Sequence, residues 1–196
     1  MDNIKGILKF VNLLNDYRNV KRAILVNGDD RWENDVEHSY QLAMLAWYII
    51  DSKKLNLDIN LVLKYALVHD LVEVYAGDTY FYETDEEVLN SKDQREDEAR
   101  KKLKVEYGEF GDLHDLITSY EDRKDAESKF VYTLDKLQPV LNIYLDGGRT
   151  WKDKKVTFDM LYQNKKTKIS MDKDVKKYFD ELAEILEDNK EELFFE

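Results

Sequence analysis

His69, Asp70 and Glu73 are the residues best suited to chemistry, and they lie together in the mostly apolar run Leu61–Asp78. The run is rich in helix formers and has no Pro, so it predicts one helix that ends at Gly77. At about 100° per residue, the three side chains would share one helical face. Burying such groups is costly unless they are paired or bind a metal. A charge cluster paired with Arg or Lys from elsewhere is the alternative to a metal site.

Two other segments supply side chains of the same kinds. His38 lies in the first turn of a predicted helix over Val36–Asp51. Asp135 lies in the apolar sequence of a third predicted helix, near residues 126–146. Together with the His-Asp pair above, these residues offer two imidazoles and two carboxylates from three helices. Such a set would hold a divalent first-row metal ion and leave positions open for water and substrate.

The elements that must position these side chains are also predicted to be helices. One Pro and seven Gly leave little material for hairpins, which favours an all-α fold. A turn is predicted at Asn27–Asp30, Asn34 or Asp35 would cap the second helix, and Thr84 opens a capping box. Residues 150–169 show no pattern that predicts their structure. The remaining helices are predicted over residues 4–17, from 84 to about 107, around 113–117 and from Ser170.

The composition is typical of a globular protein. The 196 residues are 43% hydrophobic and 12% aromatic, which is enough for a substantial core. We expect a single domain over residues 1–196, with the motifs in a core of about 10–145 and a helical extension over about 150–196. No low-complexity linker or internal repeat indicates a further boundary.

Charge and cysteine content exclude several classes of partner and site. The net charge of −12 disfavours nonspecific nucleic-acid binding, because phosphate backbones attract basic surfaces. With no Cys, the chain forms neither disulfides nor a thiolate metal site. The longest apolar run, Leu42–Ile50, is too short to cross a bilayer, and the N-terminus lacks a signal-peptide pattern, so we expect a cytoplasmic protein without membrane partners. We interpret the charged run Arg95–Lys104 as a solvent-exposed helix face on which side chains four residues apart form ion pairs.

The order of the motifs resembles the signature of the HD-domain superfamily of metal-dependent phosphohydrolases. That signature is a His on one helix, a His-Asp pair on another and a late Asp, which here fall at His38, His69-Asp70 and Asp135. The flanking residues are similar to the 5′-deoxynucleotidase group, and the resemblance covers roughly residues 10–145. The sequences that carry it are Glu37-His38-Ser39, His69-Asp70-Leu71-Val72-Glu73-Val74-Tyr75-Ala76-Gly77-Asp78, Lys129-Phe130-Val131 and Leu134-Asp135-Lys136-Leu137.

The resemblance implies an HD-type helical bundle whose single divalent ion is held by His38, His69, Asp70 and Asp135. A donor set that mixes imidazole with carboxylate favours Mn, Co, Fe or Zn over Mg. Dinuclear HD enzymes use additional histidines. Only His114 remains here, and its surroundings in the sequence predict an ordinary histidine, so one metal ion is favoured.

The same resemblance implies three further roles. In the family, an Arg before the first His contacts the substrate phosphate. Arg22 is the best positional match, with Arg18 and Arg31 close enough to be alternatives. The catalytic Glu and Asp of the family correspond to Glu73 and Asp78, and the sequence leaves the division of acid and base roles between them open.

The reaction that the motifs predict is hydrolysis of a nucleoside 5′-monophosphate, ribo or deoxyribo, to nucleoside and phosphate. Ala23 and the absence of Pro after Thr79 depart from the family pattern beside the nucleoside site, so the substrate preference is open. One alternative is an HD phosphohydrolase that acts on triphosphates or guanosine polyphosphate alarmones. Another is a non-catalytic module that binds metal or nucleotide. The apolar content of several helices and the resemblance both predict a homodimer.

Overall fold

The computed structural model describes residues 4–80 and 85–195, which fold into helices around one short hairpin. The predicted all-α class is confirmed, since the hairpin supplies the only strands of the described residues. Within these two ranges, no helix is both long and apolar enough to cross a membrane. In chain order the elements are α1 (Ile4–Tyr17), β1 (Lys21–Leu25), β2 (Trp32–Asn34), α2 (Asp35–Lys53), α3 (Ile59–Val68), α4 (Glu73–Ala76), α5 (Glu86–Glu106), α6 (Gly111–Glu121), α7 (Ala126–Leu145), α8 (Arg149–Asp153), α9 (Phe158–Ile169), α10 (Lys173–Asp188) and α11 (Lys190–Leu193).

Helix α7 occupies the centre of the fold, in contact with α2, α3, α6, α9 and α10. Asp125 caps its start, because its carboxylate accepts a hydrogen bond from the Ser128 N–H at 2.7 Å. Apolar residues cover most of the helix circumference, and Phe130 and Leu134 are completely buried. A helix that is apolar on most sides lies inside the protein. As a result, Asp135 is carried into the interior.

Helix α2 begins at one of the two caps that the sequence predicts. Asn34 Oδ1 accepts a hydrogen bond from the Glu37 N–H at 3.1 Å, and Glu37 Oε2 accepts one from the Asn34 N–H at 3.2 Å. Arg31 holds the same Glu37 carboxylate with two hydrogen bonds of 2.8 and 2.7 Å. This reciprocal capping box fixes the first turn. It thereby sets the position of His38, which is fully buried.

The antiparallel hairpin of β1 and β2 was not predicted from the sequence. The turn predicted at Asn27–Asp30 is confirmed, and it joins the two strands. Gly28 adopts a φ of +74° there, a conformation that glycine tolerates better than other residues. The strands have only five and three residues, too few for a recognisable period-two pattern. The hairpin matters for the site because β1 carries Arg22.

The prediction of one continuous helix through the His-Asp pair is wrong. Helix α3 ends at Val68, and α4 begins only at Glu73. Between them, the Leu71 N–H donates to Val68 O at 3.1 Å and the Glu73 N–H donates to Asp70 O at 2.9 Å. These bonds span three residues and wind the chain more tightly than an α-helix. His69 and Asp70 therefore lie on a turn, where spacing of 100° per residue does not apply.

Residues 150–169, for which the sequence predicted no structure, form most of α8 and all of α9. Trp151 of α8 stacks on Phe194, with ring centroids 4.4 Å apart. Leu161 and Ile169 of α9 are buried, and α9 packs against α7 and α10. This extension therefore contributes to the same core as the motif-bearing helices.

Two helix starts differ from the predicted ones. Helix α10 begins at Lys173 instead of Ser170, because the Asp172 carboxylate caps it by accepting two backbone N–H groups at 2.9 Å. The predicted capping residue Thr84 lies outside the described residues. Asp85 caps α5, with its side chain accepting the N–H two residues further on at 2.9 Å. Asp serves as well as Ser or Thr at such positions.

Candidate active site

The structure brings His38, His69, Asp70 and Asp135 together. One donor atom from each residue lies within 4.8 Å of all the others. His38 Nε2 lies 3.0 Å from Asp135 Oδ1, and His69 Nε2 lies 3.0 Å from Asp70 Oδ2. The start of α2, the turn after α3 and the middle of α7 each supply part of the set. That these four residues bind a metal stays a prediction.

Both imidazoles are oriented through their other ring nitrogen. His38 Nδ1 lies 2.8 Å from Gln138 Oε1, and His69 Nδ1 lies 3.0 Å from Ala66 O. Because both partners are acceptors, each Nδ1 carries a proton, and Nε2 is the ring nitrogen that faces the other donors. Gln138 is itself fixed, since its amide donates to Gln41 Oε1 at 2.9 Å. This is the arrangement that metal-binding histidines usually show.

The charges and unsatisfied atoms of the site suit a divalent cation. The buried His69 Nε2 lies 3.0 Å from Asp70 Oδ2 and 3.7 Å from Asp135 Oδ1, although neither contact has the geometry of a hydrogen bond. Burial and Arg22 lower the pKa of His38 to about 4, so this ring is neutral as a ligand must be. Burial disfavours a charged His69, but Asp70 and Asp135 outweigh it and raise the pKa of His69 to about 10. The carboxylates therefore attract positive charge to this point.

Arg22 is largely buried beside the four donors, with 12% of its side chain exposed, and is held by carboxylates. Its Nη1 donates to Asp70 Oδ2 at 2.8 Å and to Asp35 Oδ1 at 3.2 Å, and its Nε lies 3.5 Å from Glu33 Oε2. Burial opposes the charge, yet Asp70 and other carboxylates raise the pKa of Arg22 above its usual value. The guanidinium is thus a fixed positive charge next to the predicted metal site.

Arg22 is the only one of the three candidate arginines whose position suits the predicted phosphate contact. It lines the cavity at the site, whereas Arg18 and Arg31 are exposed. Arg31 is occupied with Glu37 at the cap of α2. Binding of phosphate by Arg22 remains a prediction.

Glu73 and Asp78, the predicted catalytic pair, both line the same cavity. Glu73 opens α4, and Asp78 follows Gly77, whose φ is +75°. Burial raises the pKa of Glu73 well above its usual value, and Asp70 and Asp78 raise it further. Within residues 4–80 and 85–195, the buried Glu73 Oε2 has no hydrogen-bond partner. A carboxyl group in this setting keeps its proton more readily than an exposed one.

Arg95 and Gln138 support the site and were not identified from the sequence. Arg95 was assigned to a solvated charge run, but its Nη1 donates to Ala76 O at 2.6 Å and its Nη2 to Thr79 Oγ1 at 2.9 Å. These contacts fall on both sides of Asp78. Arg95 lies one helical turn before the buried Ala99 of α5, and Gln138 lies one turn after Asp135 in an apolar helix. In both cases, the only sequence signal for a role in the site is a polar residue at the spacing of buried apolar residues.

The cavity beside the four donors has a volume of about 290 Å³. Acidic side chains and Arg22 line one part of it. Apolar residues from β1, α5, α7, α8 and α9 line another part, and lysines from α5, α7 and α9 complete the wall. Small-molecule sites usually combine an apolar wall with converging polar groups, and this cavity has both. The apolar lining residues are Ala23, Ile24, Leu89, Pro139, Val140, Ile143, Trp151 and Leu161.

Comparison with known sequences gives a consistent result. Residues 14–176 match the family model described as HD domain. The chain is 32% identical to 5′-deoxynucleotidase HDDC2 of Homo sapiens over 140 residues, which is 70% of this chain and 66% of that protein. It is also 32% identical to 5′-deoxynucleotidase HDDC2 of Dictyostelium discoideum over 150 residues, 72% of this chain and 77% of that protein. The matched segment thus spans about two thirds of the human relative.

Solved structures show the same fold. A protein described as a predicted metal-dependent phosphohydrolase from Magnetospirillum magnetotacticum superimposes with a TM-score of 0.79 at 28% identity. The match covers 95% of this chain and 92% of that one. An HD-domain phosphohydrolase from Listeria innocua has a TM-score of 0.64 at 17% identity, covering 93% and 88%. At that identity the second likeness concerns the fold alone.

Proposed function

Because the chain belongs to the HD domain family, we propose that it is a metal-dependent phosphohydrolase that converts nucleoside 5′-monophosphates, deoxynucleotides included, to nucleoside and phosphate. The observation that carries the proposal is the convergence of four donor atoms, from His38, His69, Asp70 and Asp135, within 4.8 Å of one another beside Glu73. The relatives named 5′-deoxynucleotidase support the substrate class.

Each residue of the site has a distinct part in the proposed reaction. His38, His69, Asp70 and Asp135 would hold a divalent ion, which would supply Lewis-acid polarisation of the phosphoryl group and a lower pKa for water. Arg22 offsets charge on the nonbridging oxygens during phosphoryl transfer. Glu73, whose surroundings favour its protonated form, gives a proton to the leaving 5′ oxygen. Asp78 is the other predicted catalytic carboxyl group that lines the cavity, and it orients or deprotonates the attacking water.

The proposed ion is Mn, Co, Fe or Zn. Imidazole nitrogens suit these metals, whereas Mg prefers sites made of oxygen ligands and water.

The cytoplasmic location expected from the sequence stays a prediction.

The substrate proposal is tested by phosphate release from a panel of nucleotides with each of several divalent metals. We expect turnover of ribo- or deoxyribonucleoside 5′-monophosphates and none after treatment with EDTA. Hydrolysis of triphosphates or alarmones but not of monophosphates would contradict the proposed substrate class, and the protein would still be a phosphohydrolase. Bound metal without any turnover would identify a non-catalytic module.

Arg95 is expected to support catalysis by holding the Asp78 loop. Arg95→Met removes the hydrogen bonds to Ala76 and Thr79, so Asp78 would lose its fixed position. Misplacement of a catalytic group by about 1 Å costs on the order of 10²-fold. We therefore expect kcat to fall roughly 10- to 100-fold, with KM and metal content little changed. Steady-state kinetics and elemental analysis measure these quantities.

Lys101→Met is the matched control, because Lys101 is an exposed residue of the same helix and pairs only with Asp97 among the contacts described. Arg95→Lys keeps the charge but cannot donate to both Ala76 O and Thr79 Oγ1. This variant should therefore be faster than Arg95→Met and slower than the wild type. Equal kcat in wild type and Arg95→Met would contradict a role for Arg95 in positioning the loop.

A homodimer is also proposed, on the basis of exposed apolar faces on two helices. On α1, Ile4 and Ile7 are 63% and 61% exposed, and on α2, Tyr40 and Tyr48 are 63% and 70% exposed. Apolar patches of this kind usually mark interfaces. Light scattering at micromolar concentration should give twice the chain mass of 23.4 kDa. A mass equal to that of one chain would refute the dimer.

A further inference from the structure

The turn of the hairpin is tied to the junction between α7 and α8. Arg149, the first residue of α8, donates from Nη2 to Asp29 O at 2.7 Å and to Val26 O at 3.2 Å. Its Nε donates to Asp146 Oδ2 at 2.8 Å, and the Gly28 N–H donates to the other oxygen of that carboxylate at 3.1 Å. We call these four hydrogen bonds the Arg149 clamp. The clamp joins the hairpin to residues about 120 positions later in the chain.

Strand β1 depends on support from outside the hairpin, because its pairing with β2 is irregular. The two pairs are Lys21 with Asn34 and Leu25 with Trp32. Between these pairs β1 has three residues where β2 has one, which is a bulge. All three residues of the bulge, Arg22–Ile24, line the cavity, whereas a regular strand would present alternate residues. A two-stranded hairpin is at best marginally stable alone, so its position has to be fixed by contacts with the helices.

The two ends of the bulge are held by different groups. Arg22 is fixed at one end by hydrogen bonds to two carboxylates, which are 2.8 and 3.2 Å long. At the other end, Ile24 precedes Leu25, whose N–H donates to Thr150 Oγ1 at 3.0 Å. The Arg149 clamp then holds the residues that follow. The position of Ile24 therefore depends on the junction between α7 and α8, and the position of Arg22 depends on the carboxylates around it.

These two ends also suit different halves of the proposed substrate. Arg22 lies beside the four predicted metal ligands and suits the phosphate. Ile24 belongs to the apolar wall of the cavity, which also includes Trp151 of α8, and β1 and α8 are in contact. An apolar wall suits the uncharged nucleoside. A displacement of β1 against α8 would therefore change the contacts of the nucleoside and leave those of the phosphate in place.

We propose that Arg149 is a positioning residue for nucleoside binding, which it promotes by holding the hairpin turn so that Ile24 forms the apolar wall together with Trp151. This inference rests on the proposed function. Arg149 is not among the described residues that line the cavity, so it acts through β1. Arg149→Met removes the hydrogen bonds to the turn and leaves the carboxylates around Arg22 unchanged. It should weaken binding of a nucleotide and leave binding of phosphate unchanged.

Isothermal titration calorimetry measures the two halves separately. The protein is the full chain with Glu73→Gln, which slows hydrolysis, in the presence of Mn²⁺. The ligands are the four common deoxynucleoside 5′-monophosphates and inorganic phosphate. The best nucleotide should bind this parent protein more tightly than phosphate does. Adding Arg149→Met should weaken binding of that nucleotide about tenfold, the order expected when one apolar side chain loses its contact, and change phosphate binding by less than about threefold.

Three further variants complete the test. Arg149→Lys keeps the charge but has one donor group, so it should lose less affinity for the nucleotide than Arg149→Met. Asp146→Asn keeps the shape of the side chain but cannot accept both clamp hydrogen bonds, so it should weaken nucleotide binding in the same direction, even if Arg149→Met fails to fold. Lys152→Met is the matched control. Lys152 is an exposed residue of α8 that donates to Gly147 O at 3.3 Å, and this variant should bind both ligands like the parent.

The positioning role is refuted if no nucleotide binds the parent more tightly than phosphate, or if Arg149→Met and Asp146→Asn leave nucleotide binding unchanged. Equal losses for nucleotide and phosphate would also refute it, because Arg149 would then act on the whole site. Phosphate release by the wild type, measured separately, tests the proposed function. A selective loss of nucleotide binding in a protein that releases no phosphate would contradict that function and leave the role of Arg149 intact.

Discussion

Replacing His69 or Asp135 with Ala is expected to abolish divalent-ion binding and phosphate release together. Each residue supplies one of four donors that lie within 4.8 Å of one another. Loss of one donor from such a site removes a large part of its affinity, because the remaining ligands no longer complete the coordination. His69 also places its buried Nε2 directly among the other donors, 3.0 Å from Asp70 Oδ2. The loss should therefore be close to complete.

The measurement is metal content by elemental analysis after dialysis, combined with phosphate release from a nucleoside 5′-monophosphate. His114→Ala is the matched control, because the His114 ring contacts Tyr107 O at 2.9 Å and does not line the cavity. This variant should keep both metal and activity. Asp135→Asn is a check on folding, because Asn has nearly the same shape as the buried Asp that it replaces on α7. Full metal occupancy in both Ala variants would rule out the proposed site.

The sequence was sufficient to identify side chains that the structure brings together from distant segments. His38 and Asp135 stand out because a polar, ligand-type residue in an apolar helix has to be explained by a partner. Asn34 could be named as one of two candidate caps, with Asp35, because a helix cap is a local pattern that depends on the residue type at the helix start. Fold class was predictable for a similar reason, since few Gly and Pro leave helices as the main option.

The parts that were missed depend on contacts between residues far apart in the chain. The spacing of Arg95 in α5 indicates its helical face but does not reveal its partners, because Ala76 and Thr79 belong to another segment. The helix was predicted to continue through His69, since its apolar composition does not reveal the tighter turn. Lys165 lies in a stretch with little apolar periodicity, so only the packing of α9 against α7 shows that it is buried.

Glu73→Gln is expected to separate proton transfer from metal binding. The substitution keeps the size of the side chain and most of its hydrogen bonding but removes its ability to exchange a proton. If Glu73 is the proton donor, turnover should fall roughly 10²- to 10⁴-fold, the usual worth of a general acid or base. Metal content should stay near wild type, because Glu73 is not one of the four converging donors.

Glu73 also lies close to Asp35 and Asp70, with one donor atom of each within 4.8 Å of the others, so metal content has to be measured with the rate. The matched control is Glu184→Gln on the exposed side of α10, which should leave both unchanged. Loss of metal from Glu73→Gln would make Glu73 a ligand or an essential partner of one. Full activity would instead reassign the proton transfer, with Asp78 the first candidate because it is the other predicted catalytic carboxyl group lining the cavity.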